Sequence, residues 1–215
     1  MELTSFVKQG KEQVFRPVFG SIAELLEHHA RELGEKEAVI GVDVDSGSTS
    51  SISYRELFEM AGKTANFLFA KGIRKGDRVA FLFHNTPEVL ILELACGLLG
   101  VSSVPLDSKR DTTERKIFKL KDANAKILFS SASEESAEES ARIQEALPSL
   151  SRVLFNGKDS LAFTIQDQSS TPEFPAANSI ENEYVLLYTS GTTANPKGVP
   201  LSLRAFFANA EGIIE

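Results

Sequence analysis

The residues with the clearest chemical potential lie close together near the end of the chain, at 184–199. There an apolar run, YVLLY, is followed by hydroxyl side chains, one glycine and a lysine. Hydroxyl groups hydrogen-bond to phosphate oxygens, glycine lets the backbone approach an anion, and lysine supplies a compact positive charge. The pattern predicts a phosphate-binding loop, whose candidate residues are Thr189, Ser190, Gly191, Thr192, Thr193 and Lys197.

This stretch differs from the phosphate loop of common nucleoside triphosphatases. That loop has a glycine directly before its lysine and a Ser or Thr directly after it, whereas Pro196 and Gly198 occupy these positions here. Residues 198–203 also predict a second strand rather than the helix that the common loop enters. On spacing alone, an ordinary Ser/Thr/Gly turn between two strands remains an alternative interpretation.

Alternating helices and strands would position this loop. Ser21 and Ser53, each with a Glu three residues later, predict capping boxes that open amphipathic helices, with a hairpin between the two helices. Apolar runs predict strands at 78–83, 102–105, 126–130, 152–155 and 184–188. Helical patterns, one of them with Thr86 as its N-cap, are expected at 87–99, 113–123 and 134–147. The alternation predicts an α/β fold with a largely parallel sheet and helices on both faces.

The composition of the chain suggests three segments. We expect an N-terminal α/β domain at 1–165 and a surface linker at 166–180, where Ser, Pro and Asn are frequent. Residues 181–215 would then form a strand, the loop, a second strand and a helix that begin the rest of a larger domain.

Charge and hydropathy exclude several classes of partner. The net charge of −7, with no basic stripe, argues against a nucleic-acid partner, because such binding depends on Lys and Arg set against phosphates. No stretch reaches the roughly 20 apolar residues of a membrane span, and no secretory signal pattern opens the chain. These features predict a cytoplasmic protein. The single cysteine, Cys96, lies in an apolar run and is interpreted as a core residue.

The histidines and a phenylalanine-rich group are interpreted as packing residues. His28 and His29 have no Cys, His or carboxylate at ligand spacing, so no metal site is predicted. His84 follows the strand at 78–83, at the end where α/β sheets bind ligands, although packing without ligand contact is the favoured interpretation. Core rather than acyl-pocket roles are expected for Phe67, Phe69, Phe81 and Phe83.

The stretch YTSGTTANPKGV closely resembles the signature phosphate loop of the AMP-binding, adenylate-forming superfamily, which includes acyl-CoA synthetases and fatty-acyl-AMP ligases. The upstream stretches SYREL, KGIRKGDRVA, NTPE, LLG and VPLD follow in the order of that family's N-terminal half. The resemblance runs from about residue 21 to the end. It implies the N-terminal portion of the adenylate-forming fold, from an acyl-CoA synthetase or AMP-dependent synthetase and ligase.

The resemblance also implies a reaction. A substrate carboxylate attacks the α-phosphate of ATP, acyl-AMP forms and pyrophosphate leaves, and coenzyme A then accepts the acyl group. The implied ligands are ATP, Mg²⁺, coenzyme A and a carboxylic acid. The hydroxyl residues and Gly191 would hold the β- and γ-phosphates, and Lys197 would orient the leaving pyrophosphate. The family's catalytic and metal-binding residues follow this loop, so none is assigned here, and we expect the isolated chain to form no acyl-AMP.

Two positions depart from the family pattern. Ala194 stands where a glycine or serine is usual, and its Cβ would cost energy if the loop required a positive φ. Leu203 stands where a histidine often follows a Ser or Thr. Two alternatives remain: a non-catalytic module that binds a nucleotide or a partner, and an unrelated α/β nucleotide-binding domain, which the missing dinucleotide glycine fingerprint disfavours. Exposed apolar surface or a strand edge would favour self-association.

Overall fold

A six-stranded sheet forms the centre of this computed structural model, which describes residues 6–9, 12–42, 46–83, 86–155, 157–175, 179–189 and 195–214. The strands are β1 (Phe6–Gln9), β2 (Glu12–Phe15), β3 (Glu37–Val42), β4 (Thr49–Ser53), β5 (Arg78–Leu82), β6 (Ser102–Pro105), β7 (Ile127–Ser131), β8 (Ser151–Phe155), β9 (Glu183–Thr189) and β10 (Lys197–Ser202). The helices are α1 (Ile22–Leu33), α2 (Tyr54–Ala70), α3 (Pro87–Leu99), α4 (Thr113–Asp122), α5 (Glu134–Ala146), α6 (Gly157–Thr164) and α7 (Leu203–Ile214).

The central sheet confirms the predicted α/β class. Its strand order is β10-β9-β6-β5-β7-β8, and every neighbouring pair is parallel except the antiparallel β10–β9 pair. The strands and helices of the predicted alternation lie within one residue of their expected bounds. β3 and β4 form the expected hairpin, whereas α6 and the β1–β2 hairpin were not predicted.

Side chains alternate across the central strands and feed two hydrophobic cores. In β5, Val79 and Phe81 belong to the core that α2 and α3 cover, whereas Ala80 and Leu82 belong to the core that α4 and α5 cover. All four are buried, as expected for a parallel strand covered on both faces. The phenylalanine-rich group lies in or against the first core, with Phe83 stacked on Phe155 at 4.8 Å, which confirms its interpretation as core.

The helix starts depart from the sequence prediction in two details. Ser53 and Glu56 form the complete capping box. Ser21 accepts a hydrogen bond from the Glu24 N–H, but the Glu24 carboxylate accepts from the Gly20 N–H instead of closing the box. Thr86 takes the N-cap position of α3 without a capping hydrogen bond, and its buried Oγ1 has no hydrogen-bond partner within the described residues.

The segment that the sequence marks as a linker lies against α2. The Asn66 amide donates to the carbonyls of Ser169 and Thr171 at 2.8 and 2.7 Å, and it accepts from the Glu173 N–H at 2.9 Å. β9, beyond this segment, joins the same sheet as β5 and β6. The boundaries at 1–165, 166–180 and 181–215 stay a prediction. Over the described ranges, no helix has both the length and the apolarity that crossing a membrane requires.

Candidate functional site

The candidate loop connects β9 to β10. Thr189, the last residue of β9, is the cross-strand partner of Lys197, the first residue of β10. β10 continues to Ser202 and α7 begins only at Leu203, so a strand and not a helix follows the lysine. The predicted second strand is therefore confirmed. The pairing holds the two residues that flank the segment 190–196 side by side.

The sheet topology gives this hairpin a defined edge. β9 runs parallel to β6, so Thr189 lies where the parallel strands end at their carboxyl termini. Ligands of open α/β sheets bind at this edge. The side chains of Thr189 and Lys197 are both exposed there. Ser190, Gly191, Thr192, Thr193 and Ala194 lie outside the described residues, as does His84, and the roles assigned to them stay predictions.

An ion pair fixes the beginning of β9. Arg78 Nε lies 2.8 Å from Glu183 Oε1, and Arg78 Nη2 lies 3.0 Å from Glu183 Oε2, so the pair is bidentate. The same guanidinium donates to the carbonyl of Ala123 at 3.1 Å. Hydrogen bonding from Arg78 lowers the pKa of the Glu183 carboxyl, which remains charged in the folded state. The strand that ends at Thr189 is thus tied to β5 and to the end of α4.

A tyrosine fixes the other end of β9. The Tyr188 hydroxyl donates to Asp122 Oδ2 at 2.7 Å and lies 3.1 Å from the carbonyl oxygen of Lys119. Burial, together with the Asp122 carboxylate, raises the pKa of Tyr188, so the hydroxyl keeps its proton and acts as a donor. The residue directly before Thr189 is therefore anchored to the last turns of α4.

Among the described residues, two cavities of more than 200 Å³ adjoin β9, and sequence reasoning identified neither. One, of about 210 Å³, is lined by Arg110, Asp111, Arg115, Lys119, Tyr188 and Thr189. The other, of about 480 Å³, lies between α1, α3 and α7 and is largely apolar, with Leu94, Tyr184, Phe206 and Phe207 among its lining residues. Cys96 is fully buried, and burial raises the pKa of its thiol, as expected for a core cysteine.

Within the described residues, no group of three or more His, Cys, Asp or Glu side chains is placed to hold a metal ion. Mg²⁺ commonly binds through one or two carboxylates together with substrate phosphates and water. Such a site needs fewer carboxylates than a group of three, and no step of the chemistry is derived through this ion.

Comparisons with known proteins agree with the motif. The model of a family described as AMP-binding enzyme matches residues 26–215. The chain is 32% identical over 184 residues to acetyl-coenzyme A synthetase of Mycolicibacterium smegmatis, covering 77% of this chain and 20% of that relative. It is 33% identical over 149 residues to 2-succinylbenzoate--CoA ligase of Bacillus subtilis, covering 69% of this chain and 28% of that relative.

The fold agrees with solved structures as well. ATP-bound MatB from Rhodopseudomonas palustris superposes with a TM-score of 0.69 at 28% identity, over 89% of this chain and 37% of that chain. The chain spans between a fifth and two fifths of the length of these three relatives.

Proposed function

Because this chain belongs to the AMP-binding enzyme family, we propose that its β9–β10 hairpin binds the phosphates of ATP for the activation of a carboxylic acid. The observation that carries the proposal is the pairing of Thr189 with Lys197 at the carboxyl edge of the sheet. The pairing brings a hydroxyl and an ammonium group to the two ends of a loop that contains further hydroxyl residues and glycine.

The proposed chemistry is nucleophilic substitution at phosphorus. The substrate carboxylate attacks the α-phosphorus of ATP, the bond to the bridging oxygen breaks, and pyrophosphate leaves with that electron pair. A thiol of coenzyme A then attacks the acyl carbon and releases AMP. The hairpin holds the β- and γ-phosphates and offsets their charge, because such reactions depend mainly on alignment and electrostatic stabilisation. In this proposal Mg²⁺ binds with the nucleotide phosphates.

We propose roles for the hairpin residues on this basis. Thr189, Ser190, Thr192 and Thr193 donate hydroxyl hydrogen bonds, Gly191 admits the phosphates to the backbone, and Lys197 orients the leaving pyrophosphate. The 215 residues alone are expected to form no acyl-AMP, and carboxylate-dependent exchange of pyrophosphate into ATP by the purified chain would contradict this expectation. We place the enzyme in the cytoplasm.

We also propose that the chain associates with itself through apolar surface. Ile40 and Val42 are 61% and 62% exposed and lie two residues apart on β3, so they share one face of the strand, and adjacent exposed apolar side chains favour association. Light scattering over a concentration series should show a rising average mass. A monodisperse monomer at high concentration contradicts the proposal.

A titration of the chain with ATP tests the phosphate-binding role. Replacing Lys197 with Ala should weaken ATP binding by about tenfold or more, because charge-assisted hydrogen bonds contribute roughly 1.5–3 kcal/mol each. Lys75 provides the matched control, since it is exposed and precedes β5, at the opposite edge of the sheet. The Lys75→Ala variant should bind ATP like the unmodified chain, and equal affinities of the two variants would refute the proposal.

A further inference from the structure

The smaller of the two cavities beside β9 has a positively charged lining in an acidic protein. Three of its six lining side chains are cations and one is a carboxylate, although the whole chain carries a net charge of −7. Its volume of about 210 Å³ lies below the roughly 300 Å³ at which pockets for drug-sized ligands begin. The cavity therefore suits a small anion better than a whole nucleotide.

The carboxylate in this cavity does not neutralise the cations. Asp111 pairs directly with Lys119, and both side chains are 7% exposed. The Nε atom of Arg115 lies 3.4 Å from the same carboxylate and is buried without a hydrogen bond in the described structure. The single Asp111 carboxylate is thus shared between the Lys119 and Arg115 cations. Arg110 is 91% exposed, and its Nε is 4.0 Å from Asp107, so this pair is weak.

The cavity shares a wall with the proposed phosphate site. Thr189 lines the cavity and is also the residue from which the loop leaves β9. Arg110 lies in the segment that follows β6, and β6 is parallel to β9, so the cavity opens at the same edge of the sheet. Lys119 Nζ lies 5.6 Å from the centre of the Tyr188 ring, and the Tyr188–Asp122 hydrogen bond holds this wall in place.

We propose that this cavity is a second anion subsite, which binds a diphosphate group next to the phosphate loop. Arg110 and Arg115 are the binding residues, because guanidinium groups present paired N–H donors that match phosphate oxygens. Lys119 keeps Asp111 neutralised. The inference rests on the proposed function, since Thr189 connects the two sites. The diphosphate is either the β,γ end of bound ATP or free pyrophosphate.

Calorimetric titration of the 215-residue chain with pyrophosphate, and separately with ATP, tests the subsite. The double variant R110Q/R115Q should bind pyrophosphate about tenfold more weakly or worse, because two charged donors are lost. The matched control is R31Q/R55Q, which removes two exposed arginines that pair with Glu32 and Glu35. This control should change the affinity by less than about twofold. R110K/R115K retains the charge and should recover part of the affinity.

The outcomes separate the two proposals. If R110Q/R115Q loses affinity for both ligands, the subsite binds the terminal phosphates of ATP, and if only pyrophosphate is affected, it binds the released product. Equal affinities of R110Q/R115Q and R31Q/R55Q for pyrophosphate would overturn the proposed subsite. Failure of the unmodified chain to bind pyrophosphate at millimolar concentration would overturn it as well. If Lys197→Ala weakens ATP binding while R110Q/R115Q behaves as the control does, only the subsite is lost. If Lys197→Ala leaves ATP binding unchanged, the proposed function fails.

Discussion

The two ends of β9 border cavities of opposite character. Tyr184, near the beginning of the strand, lines the apolar cavity of about 480 Å³, whereas Thr189, at its end, lines the cationic cavity of about 210 Å³. The apolar character of the first cavity is also seen in Glu93, which lines it and whose pKa is raised by burial.

This difference shows how one strand serves both folding and binding. Tyr184 and Val185, near the beginning of β9, belong to the hydrophobic core, whereas the end of β9 lies at the sheet edge, where cations and hydroxyls collect. Substitutions at the two ends should therefore change different properties. Those near the apolar cavity should alter stability, and those near Thr189 should alter anion binding.

The largest effect is expected in the wall of the apolar cavity. Replacing Phe207, which is 7% exposed, with Ala should lower the free energy of unfolding by about 3 kcal/mol. Phe206 is the matched control, because it lies next in the chain but is 41% exposed, and its replacement with Ala should cost about 1 kcal/mol. Urea unfolding measures both. A change in ATP affinity of folded Phe207→Ala would show that the two ends of β9 are not separate.

A smaller effect is expected at the ion pair that anchors β9. Replacing Arg78 with Ala leaves the partly buried Glu183 carboxylate without its bidentate partner and should destabilise the chain by about 2 kcal/mol. Arg55→Ala, which removes an exposed pair with Glu35, should leave the unfolding midpoint unchanged. Chemical denaturation compares the two variants, and equal unfolding midpoints would show that the Arg78–Glu183 pair does not stabilise the position of β9.

Two tyrosines on the same strand sharpen the contrast. Tyr188→Phe removes the hydroxyl that bonds Asp122 and should cost roughly 1 kcal/mol of stability. It should also weaken ATP binding by a few-fold, because Thr189 loses a neighbouring anchor. Tyr184→Phe alters the apolar end and should leave ATP affinity unchanged. ATP titrations of the two folded variants make the comparison, and identical affinities would contradict a positioning role for Tyr188.

The sequence predicted the fold better than it predicted the surroundings of the site. Helical periodicity, caps and apolar runs depend on neighbouring residues, so the elements and the strand that follows Lys197 could be read directly. The short helix α6 lacks such signals. The cationic cavity joins Arg115 to Tyr188, which are far apart in the chain. The burial of Lys116 also depends on a residue distant in the chain, because its partner Glu139 lies on another helix.

The smallest expected effect concerns the pH dependence of stability. The raised pKa of Glu93 means that the folded chain retains a proton which the unfolded chain has already released. Stability therefore falls as pH rises through this raised pKa. Glu93→Gln should be more stable than the unmodified chain at neutral pH, by less than about 1 kcal/mol. The difference should vanish at acidic pH, where Glu93 is protonated in both states.

Glu183, the first residue of β9, provides the opposite case. Arg78 lowers its pKa, so the folded chain releases this proton more readily than the unfolded chain, and the stabilisation is lost as pH falls through the lowered pKa. Glu183→Gln should therefore be less stable than the unmodified chain at neutral pH, and this difference should shrink on acidification. Thermal unfolding of the three proteins across acidic to neutral pH gives both differences. If both differences have the same sign at neutral pH, the two carboxyls do not occupy opposite environments.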